Sequence, residues 1–407
     1  MIFSIAWRNI WRNRRRTLIT ASSIFLAVFF ALIMRSMQIG SYARIIESIV
    51  HSYTGYIQVH KKGYWEEKDI NNSFELTDSL MRKISSAPNV EIAVPRLESF
   101  ALASSGTKTK GVMVIGIQSG VEEQLSDLKK NVIKGRYLDP DDTGVLLAKR
   151  IAEYLGLKVN DTLVLVGQGY HGISAAGKFP VRGIMHFSSP DLDNTLIYLS
   201  LKTAREFYSA ENLVTSVSIN LDNKNKIGTT SRELAGILDP KEYEVMRWDE
   251  MLVEVVQHLQ ADDISGLIML GILYMIIGFG IFGTVLMMTM ERIKEFGVMV
   301  SLGMQKTRLA FLVFLESMFI GLTGIIAGAL VAIPPIVYYY YHPYRLGSDY
   351  AKSFESYGYE ALICFEPPGM YFLNNGLLVL FIVLVAMIYP LRKIFRLNII
   401  NALRNKL

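Results

Sequence analysis

Apolar residues in this chain collect in four long blocks, unlike the short alternations of a soluble core. The blocks run from Thr17 to Met34, Ile264 to Met290, about Leu309 to Tyr341 and about Tyr371 to Leu391. Each is near or above the roughly 20 residues a helix needs to cross a bilayer. The second carries no charge and the third carries only Glu316. The first stands behind Arg8, Arg12, Arg14, Arg15 and Arg16, as a secretory leader would. Its apolar run outlasts an h-region of about 7–15 residues and no A-x-A follows, so it reads as an uncleaved anchor.

Between the first two blocks the pattern changes to short mixed segments. Strands are predicted at Tyr56–His60, Val90–Pro95, Val112–Ile117, Leu163–Val166, Val181–Met185, Leu196–Leu199 and Val214–Leu221. Ser104-Ser105-Gly106 predicts a hairpin turn after Glu98–Ala103. Leu146–Leu155, Lys202–Ser209 and Lys226–Leu238 predict helices. About 200 residues of this kind can build their own core. At the junctions, Ile39, Tyr42, Ile46, Ile49 and Val50, and then Leu252, Val255, Val256 and Leu259, fall near helical spacing. Spans one and two are therefore expected to continue as stalks beneath the domain.

Composition agrees with a membrane protein. The 407 residues are 51% hydrophobic with mean hydropathy +0.29, against about 45–50% apolar, Gly included, in soluble domains. A net charge of +5 gives no case for nucleic acid, but its placement orients the spans. The N-terminal arginines, the link with Arg292, Lys294, Lys306 and Arg308, and the tail with Arg392, Lys393, Arg396, Arg404 and Lys406 are basic. The link between spans three and four has Arg345 and Lys352 against Asp349, Glu355, Glu360 and Glu366. The positive-inside rule then puts both termini in the cytoplasm and residues 40–262 outside. The fold class is an α-helical membrane protein with four transmembrane helices plus a large α/β extracytoplasmic domain inserted between helices 1 and 2.

Candidate chemistry is sparse. "GISAAGKFP" (Gly172–Pro180) has the spacing of a phosphate loop, yet Phe179 stands where a Mg²⁺-binding hydroxyl is needed and Pro180 follows. It instead reads as the tip of a hairpin between "LVLVGQ" and "FPVRGI", with Gly167, Gly169, Gly172 and Gly177 giving backbone freedom. The six histidines, at 51, 60, 171, 186, 258 and 342, make no H-E-x-x-H spacing, and no G-x-S-x-G elbow occurs. Asp141-Asp142 reads as a turn, and Asp191 and Asp193 lack further metal ligands. The single cysteine, Cys364, excludes an intrachain disulfide and reads as a small apolar filler. No catalytic, cofactor or metal site is expected. Glu316 inside span three calls for a local partner such as Arg308 or a backbone donor, in a structural or coupling role. Gly321, Gly324 and Gly328, like Gly278, Gly280 and Gly283, permit close helix packing within the chain or between subunits.

The most specific stretch is "MERIKEFGVMVSLGMQKTRLAFLVFLESMFIGLTGIIAG". Glu291–Val300 is amphipathic, with Ile293, Phe296 and Val300 between charges and a helix end at Gly303. This stretch resembles the FtsX-like ABC transporter permeases, through Arg292, Lys294, Glu295, Gly297, Gly303, Glu316, Gly321, Gly324 and Gly328. "IAWRNIWRNRRRTLIT", "KGRYLDPDDTGVLLAKRIAEYLGLKVNDTLVL" and "YPLRKIFRLNIINALRNKL" are similar to the family's opening, outer domain and tail. Asn160 replaces a usual Gly, and Ile399 or Ile400 stands where a Pro is common. Size and a single outer domain look most like the lipoprotein-releasing (Lol-type) permeases.

The resemblance implies an inner-membrane subunit that binds a dimer of separate ABC ATPase subunits, which carry the ATP and Mg, and a second permease that is identical or paralogous. Glu291, Arg292, Lys294, Glu295, Phe296, Gly297, Val300 and Gly303 would form the coupling helix. Phe25, Phe29, Phe30, Met34 and Met37, with Met269, Leu273, Met275, Ile276 and Phe279, would line a cavity for a lipoprotein or other amphiphile. Tyr170, His171, Gly172, Ile173, Lys178, Phe179 and Pro180 would form a loop that contacts a periplasmic carrier. A transporter of another amphiphile or peptide, and a non-transporting regulator of a partner such as a cell-wall hydrolase, remain open. The expected divisions are 1–16 N-terminal segment, 17–50 span and stalk, 51–247 domain, 248–290 stalk and span, 291–308 link, 309–341 span, 342–370 loop, 371–391 span and 392–407 tail.

Overall fold

The computed structural model describes residues 2–12, 14–187, 189–347 and 362–398. Asp349, Lys352, Glu355, Glu360, Ile399, Ile400, Arg404 and Lys406 lie outside the described residues. The chain divides into two compact units. One holds Met1–Ala43, His258–Arg345 and Leu362–Leu407, and the other holds Arg44–Gln257 and Leu346–Ala361.

The first unit is built from α1 (Ile2–Arg12), α2 (Arg14–Ile49), α3 (Val253–Glu291), α4 (Ile293–Ser301), α5 (Lys306–Tyr341) and α6 (Met370–Phe395). Helices α2, α3, α5 and α6 are long and apolar enough to cross a membrane. They share a core that includes Ile24, Val28 and Leu32 of α2, Leu270 and Tyr274 of α3, Ile336 of α5 and Val383 of α6. The Tyr274 hydroxyl donates to the Asn375 side chain, which satisfies two polar groups inside that core. Pro334 and Pro335 lie within α5 without ending it, as membrane helices allow.

Glycine decides where α5 packs. A Cβ on Gly324 would stand 2.7 Å from Ile24 Cβ, and one on Gly328 2.8 Å from the Phe25 carbonyl. On Gly321 it would meet Val383 at 3.2 Å. These residues therefore seat α5 against α2 and α6 of the same chain. By contrast, Gly280 and Gly283 of α3 face open space.

The ends of α2 and α3 are joined by a polar clamp. Arg35 donates to Asp263 at 2.5 Å and to Gln38 at 2.8 Å. Gln38 donates to the Tyr42 hydroxyl at 2.8 Å, and Tyr42 donates to Asp262. Nearby, Ser36 Oγ donates to the Glu366 carbonyl at 2.7 Å. Gly40 lets the backbone of residues 364–366 lie against α2, since a Cβ there would be 2.5 Å from Phe365 C. Cys364 is half-buried on that segment.

The second unit is α/β. Its strands are β1 (Ile57–Lys61), β2 (Phe74–Glu75), β3 (Val90–Ser105), β4 (Lys108–Ile117), β5 (Val132–Gly135), β6 (Val145–Ala148), β7 (Thr162–Gln168), β8 (Ser174–Met185), β9 (Leu196–Ser200), β10 (Leu213–Val214), β11 (Ser216–Leu221) and β12 (Tyr243–Arg247). Ten of them form one sheet in the order β12-β1-β11-β3-β4-β9-β6-β8-β5, with β7 pairing both β3 and β8. Strand β3 joins Val90–Pro95 and Glu98–Ala103 into one element and turns into β4 at Ser105↔Lys108. One core gathers around β1 and β11 with Leu80, Ile84 and Leu234 from flanking helices. A larger core gathers around β4, β6, β8 and β9.

Leu146–Leu155 is not one helix. Its start belongs to β6, and the helix covers Lys149–Leu155. Val145–Ala148 is fully buried between β8 and β9. Such a short apolar run has no periodicity to tell strand from helix. Asp142 is also more than a turn residue. It is buried between Arg136 at 2.5 Å and Arg182 at 2.8 Å and accepts the Gly144 N–H. Burial alone would raise its carboxyl, but the Arg182 bond, the amide and Arg136 hold it below the usual range.

Polar groups are buried along β3. Arg96 forks onto Glu122 at 2.5 and 3.0 Å and also donates to the Tyr53 carbonyl. Glu98 accepts from the Tyr53 hydroxyl at 3.2 Å, and burial raises its carboxyl above the ordinary range. Such ions cost several kcal/mol each to desolvate and need this pairing. His60 contacts Gln58 at 2.7 Å through Nε2 and stacks on Trp65, while its Nδ1 has no hydrogen-bond partner among the described residues. Burial, helped by Lys68, pushes its pKa down to about 3.

Candidate functional site

The link between α3 and α5 forms the most organised polar site of the first unit. Helix α4 ends in a Schellman turn: Gly303 N–H bonds the Val300 carbonyl at 3.0 Å and Met304 N–H bonds that of Met299 at 3.0 Å. Gly303 takes φ +96°, which disfavours any other residue. The helix thus stops after Ser301 and the chain re-enters α5 at Lys306.

Glu316, buried nearly three turns inside α5, is the anchor. It accepts from Arg292 Nη1 at 2.5 Å and from Asn9 Nδ2 at 2.6 Å. Arg292 is buried too, reaches Glu295 at 3.3 Å and lies over the Phe296 ring at 5.2 Å. Arg12 donates to Glu295 at 2.7 Å. One network therefore ties α1, α4 and α5 together. Arg308 is exposed and is not the partner of Glu316. A carboxylate in an apolar span demands donors, but which donors reach it depends on how α1 folds back.

The sequence pattern marks residues 1–16 only as a segment, whereas residues 2–12 form an amphipathic helix. Ala6 packs with Leu312 and Leu315 of α5. Phe3 contacts Phe311 and Phe319, and Trp7 contacts Phe319. The two-faced spacing of "IFSIAWRNIWR" carries this signal.

The expected coupling residues divide by face. Glu291, Lys294, Glu295 and Gly303 are exposed; Arg292, Phe296 and Gly297 are buried, and Val300 is half-buried. Phe296 packs with Ile293, Leu309, Val313 and Ile394, so it anchors the link from inside and does not offer a contact. The apolar groups that do face outward are Val298 and Leu302, the latter 81% exposed. The sequence pattern had not singled them out, because helical period identifies an apolar face without saying what covers it.

The expected cavity residues divide likewise. Phe30, Met269, Met275, Ile276 and Phe279 are exposed, with Phe279 at 70%. Phe29, Met34 and Leu273 pack against the helix core, Phe25 stacks on Phe29, and Met37 is half-buried. Leu26, Ile264, Leu267, Ile268 and Ile272 add to the exposed apolar surface.

In the second unit, β7 and β8 form the expected hairpin, from Thr162↔Pro180 to Gln168↔Ser174. Its tip is held in place. Gly169 N–H bonds the Ile173 carbonyl at 2.7 Å, and His171 N–H bonds the Asn71 side chain at 2.8 Å. Positive φ occurs at His171 and Gly172; Gly169 is needed because a Cβ would lie 2.5 Å from the Tyr208 carbonyl. Lys178, Phe179 and Pro180 are strand residues of β8, outside the loop. Phe179 is buried against Phe207. Tyr170 leans on the core, while His171, Gly172 and Ile173 are exposed. Among the described residues no cluster of three metal-ligating side chains occurs.

Comparison with known proteins agrees with this architecture. A model of the MacB-like periplasmic core domain matches residues 17–237, and one of the FtsX-like permease C-terminal matches residues 267–399. The lipoprotein-releasing system transmembrane protein LolC of Xylella fastidiosa is 22% identical over 250 residues, 60% of each chain. This chain therefore spans about 60% of the length of that relative. An uncharacterized ABC transporter permease of Methanocaldococcus jannaschii is 21% identical over 82% of each chain. Among solved structures, the periplasmic region of MacB from Actinobacillus actinomycetemcomitans matches at 14% identity, covering 53% of this chain and 98% of that one, with TM-score 0.36. The extracellular domain of the transporter YknZ from Gram-positive bacteria matches at 16% identity, covering 47% and 100%, with TM-score 0.35. The first model alone spans more than half of the sequence, and the chain belongs to the FtsX-like permeases that carry a MacB-like periplasmic core domain.

Proposed function

We propose that this chain is the permease subunit of an ABC transporter in the bacterial inner membrane, with both termini cytoplasmic and the α/β unit outside. It would use ATP hydrolysis by a separate ATPase dimer to extract lipoproteins from the outer leaflet and pass them to a periplasmic carrier. ATP and Mg would be bound by the ATPase and not by this chain. The observation that carries the reading is the link itself: a short helix locked into its own span through Arg292 and Glu316, offering Lys294, Val298 and Leu302 outward. A lever needs a stiff fixing point and a free contact face, and this arrangement supplies both. Leu302→Glu should abolish co-purification of the ATPase; unchanged co-purification removes the coupling role.

The lipoprotein substrate is supported by the resemblance to the LolC relatives and by the exposed apolar face of α3. Flexible Met at 269 and 275 suits variable acyl chains. Each CH₂ withdrawn from the bilayer costs about 0.8 kcal/mol, so withdrawing a lipoprotein's acyl chains requires ATP and an apolar receiver. The hairpin tip supports a carrier contact: Ile173 is exposed, and Val166 and its partner Leu102 present apolar groups on the sheet beside it. Depletion of the protein should leave lipoproteins in the inner membrane. Normal fractionation would favour a different amphiphile, or a regulator of a partner such as a cell-wall hydrolase.

A further inference from the structure

A groove of about 880 Å³ lies between the start of α2 and the last third of α3, far along α3 from its Val253 end. Its volume falls in the range of ligand sites, about 300–1,000 Å³. Three arginines stand at it: Arg12, Arg14 and Arg15. Arg12 is paired with Glu295. Arg14 and Arg15 make no ion pair among the described residues, and Arg14 lies 5.9 Å over the Trp11 ring.

The remaining wall is apolar. Ile19, Phe279 and Met287 all expose their side chains into it or beside it. Gly280 and Gly283 line the same wall, and a Cβ on either meets nothing within 4 Å. From Phe279 to Met287 the wall runs about 12 Å along the helix, at 1.5 Å per residue. Thr284 adds no competing polar demand, because its hydroxyl bonds the Gly280 carbonyl at 2.7 Å.

We infer that this groove binds an anionic phospholipid of the cytoplasmic leaflet, headgroup on Arg14 and Arg15 and acyl chain along α3. Unpaired guanidiniums beside an apolar channel match one molecule that is anionic at one end and apolar at the other. A soluble anion would leave the channel unfilled, and a neutral lipid would leave the arginines unpaired. Basic pockets between membrane helices recognise anionic headgroups through the same chemistry. Trp7 and Trp11 are exposed on the adjoining α1, where aromatic rings favour the headgroup layer. The leaflet assignment rests on the cytoplasmic N-terminus proposed above.

The full chain in detergent, titrated with phosphatidylglycerol, phosphatidylcholine or inorganic phosphate and read by native mass spectrometry, tests this. Phosphatidylglycerol should be retained about tenfold more tightly than phosphatidylcholine. The double variant Arg14→Gln, Arg15→Gln should lose that preference. Gly283→Leu keeps every charge, fills open space and should lose lipid retention of both kinds. Retention unaffected by either variant would overturn the proposal, as would displacement of the lipid by phosphate at equal concentration. Thiol labelling of Arg8→Cys in a Cys364→Ala background, on sealed right-side-out vesicles, reads the orientation independently. Protection from an impermeant reagent is expected. Labelling from outside would overturn the leaflet while leaving the groove's lipid preference separately measured.

Discussion

Helices α3 and α5 are near twins in length and hydropathy and opposites in the fold. They have 39 and 36 residues and peak mean hydropathies of 2.3 and 2.2, yet 17% of the apolar stretch of α3 is buried against 56% for α5. Both carry glycines at helix-packing spacing. Those of α5 sit against Ile24, Phe25 and Val383; in α3 Gly278 approaches Ile382, whereas a Cβ on Gly280 or Gly283 would meet nothing within 4 Å among the described residues. Hydropathy thus says that a helix prefers lipid to water, and says nothing about whether lipid or protein covers it. Helix α5 is the scaffold. Helix α3 is the surface left for lipid, substrate or a second subunit.

That contrast can be broken most forcefully at Glu316. Glu316→Ala leaves buried Arg292 with only the half-exposed Glu295, and loss of one member of a buried pair costs about 3–5 kcal/mol. Thermal unfolding in detergent should show a large fall in stability together with loss of ATPase association. A near-neutral result would mean that the network does not hold the link. Next comes the glycine test. Gly324→Leu should cost about 1–3 kcal/mol through overpacking, while Gly280→Leu should change the unfolding temperature little. Equal effects at the two sites would erase the distinction between the helices.

Acid should act elsewhere. His60 has a folded pKa of about 3 and an ordinary value near 6.5. The folded state resists protonation, so its contribution is complete above pH 6.5 and falls as pH drops towards 3. At pH 5.5 the loss is on the order of 1 kcal/mol. Urea unfolding of the α/β unit should show this slope and His60→Phe should flatten it, with the α5 packing insensitive over the same range. A slope unchanged by the variant would assign the acid response to other groups. Smaller still is the α2–α3 clamp. Arg35→Gln should cost about 1 kcal/mol, since its partly exposed pair with Asp263 is screened. Last, Ile276→Ala with Phe279→Ala should shift stability by no more than about 0.5 kcal/mol while lowering substrate-stimulated ATPase turnover. A large stability loss would show that α3 is covered within its own subunit.

Much of this was legible in the sequence because it depends on local periodicity. The four apolar blocks, the hairpin at 162–185 and the end of α4 at Gly303 each follow from neighbours within a few residues. What escaped needed distant partners. Phe296 was readable as apolar on an amphipathic helix, but its burial is imposed by Leu309, Val313 and Ile394. Val298 and Leu302 emerged as the outward pair only once that face was covered. Leu146 looked helical until β8 and β9 flanked it.

By itself, the sequence determined that the chain carries four apolar spans, a separate α/β unit and a basic, amphipathic link, since transfer free energy and helical period act residue by residue. Tertiary structure alone decided that Arg292 pairs with Glu316 and Asn9 donates to it, that α5 is enclosed while α3 is open, and that Arg14 and Arg15 overlook an apolar groove. Those outcomes depend on which surfaces meet, and that is set by close packing between segments tens to hundreds of residues apart.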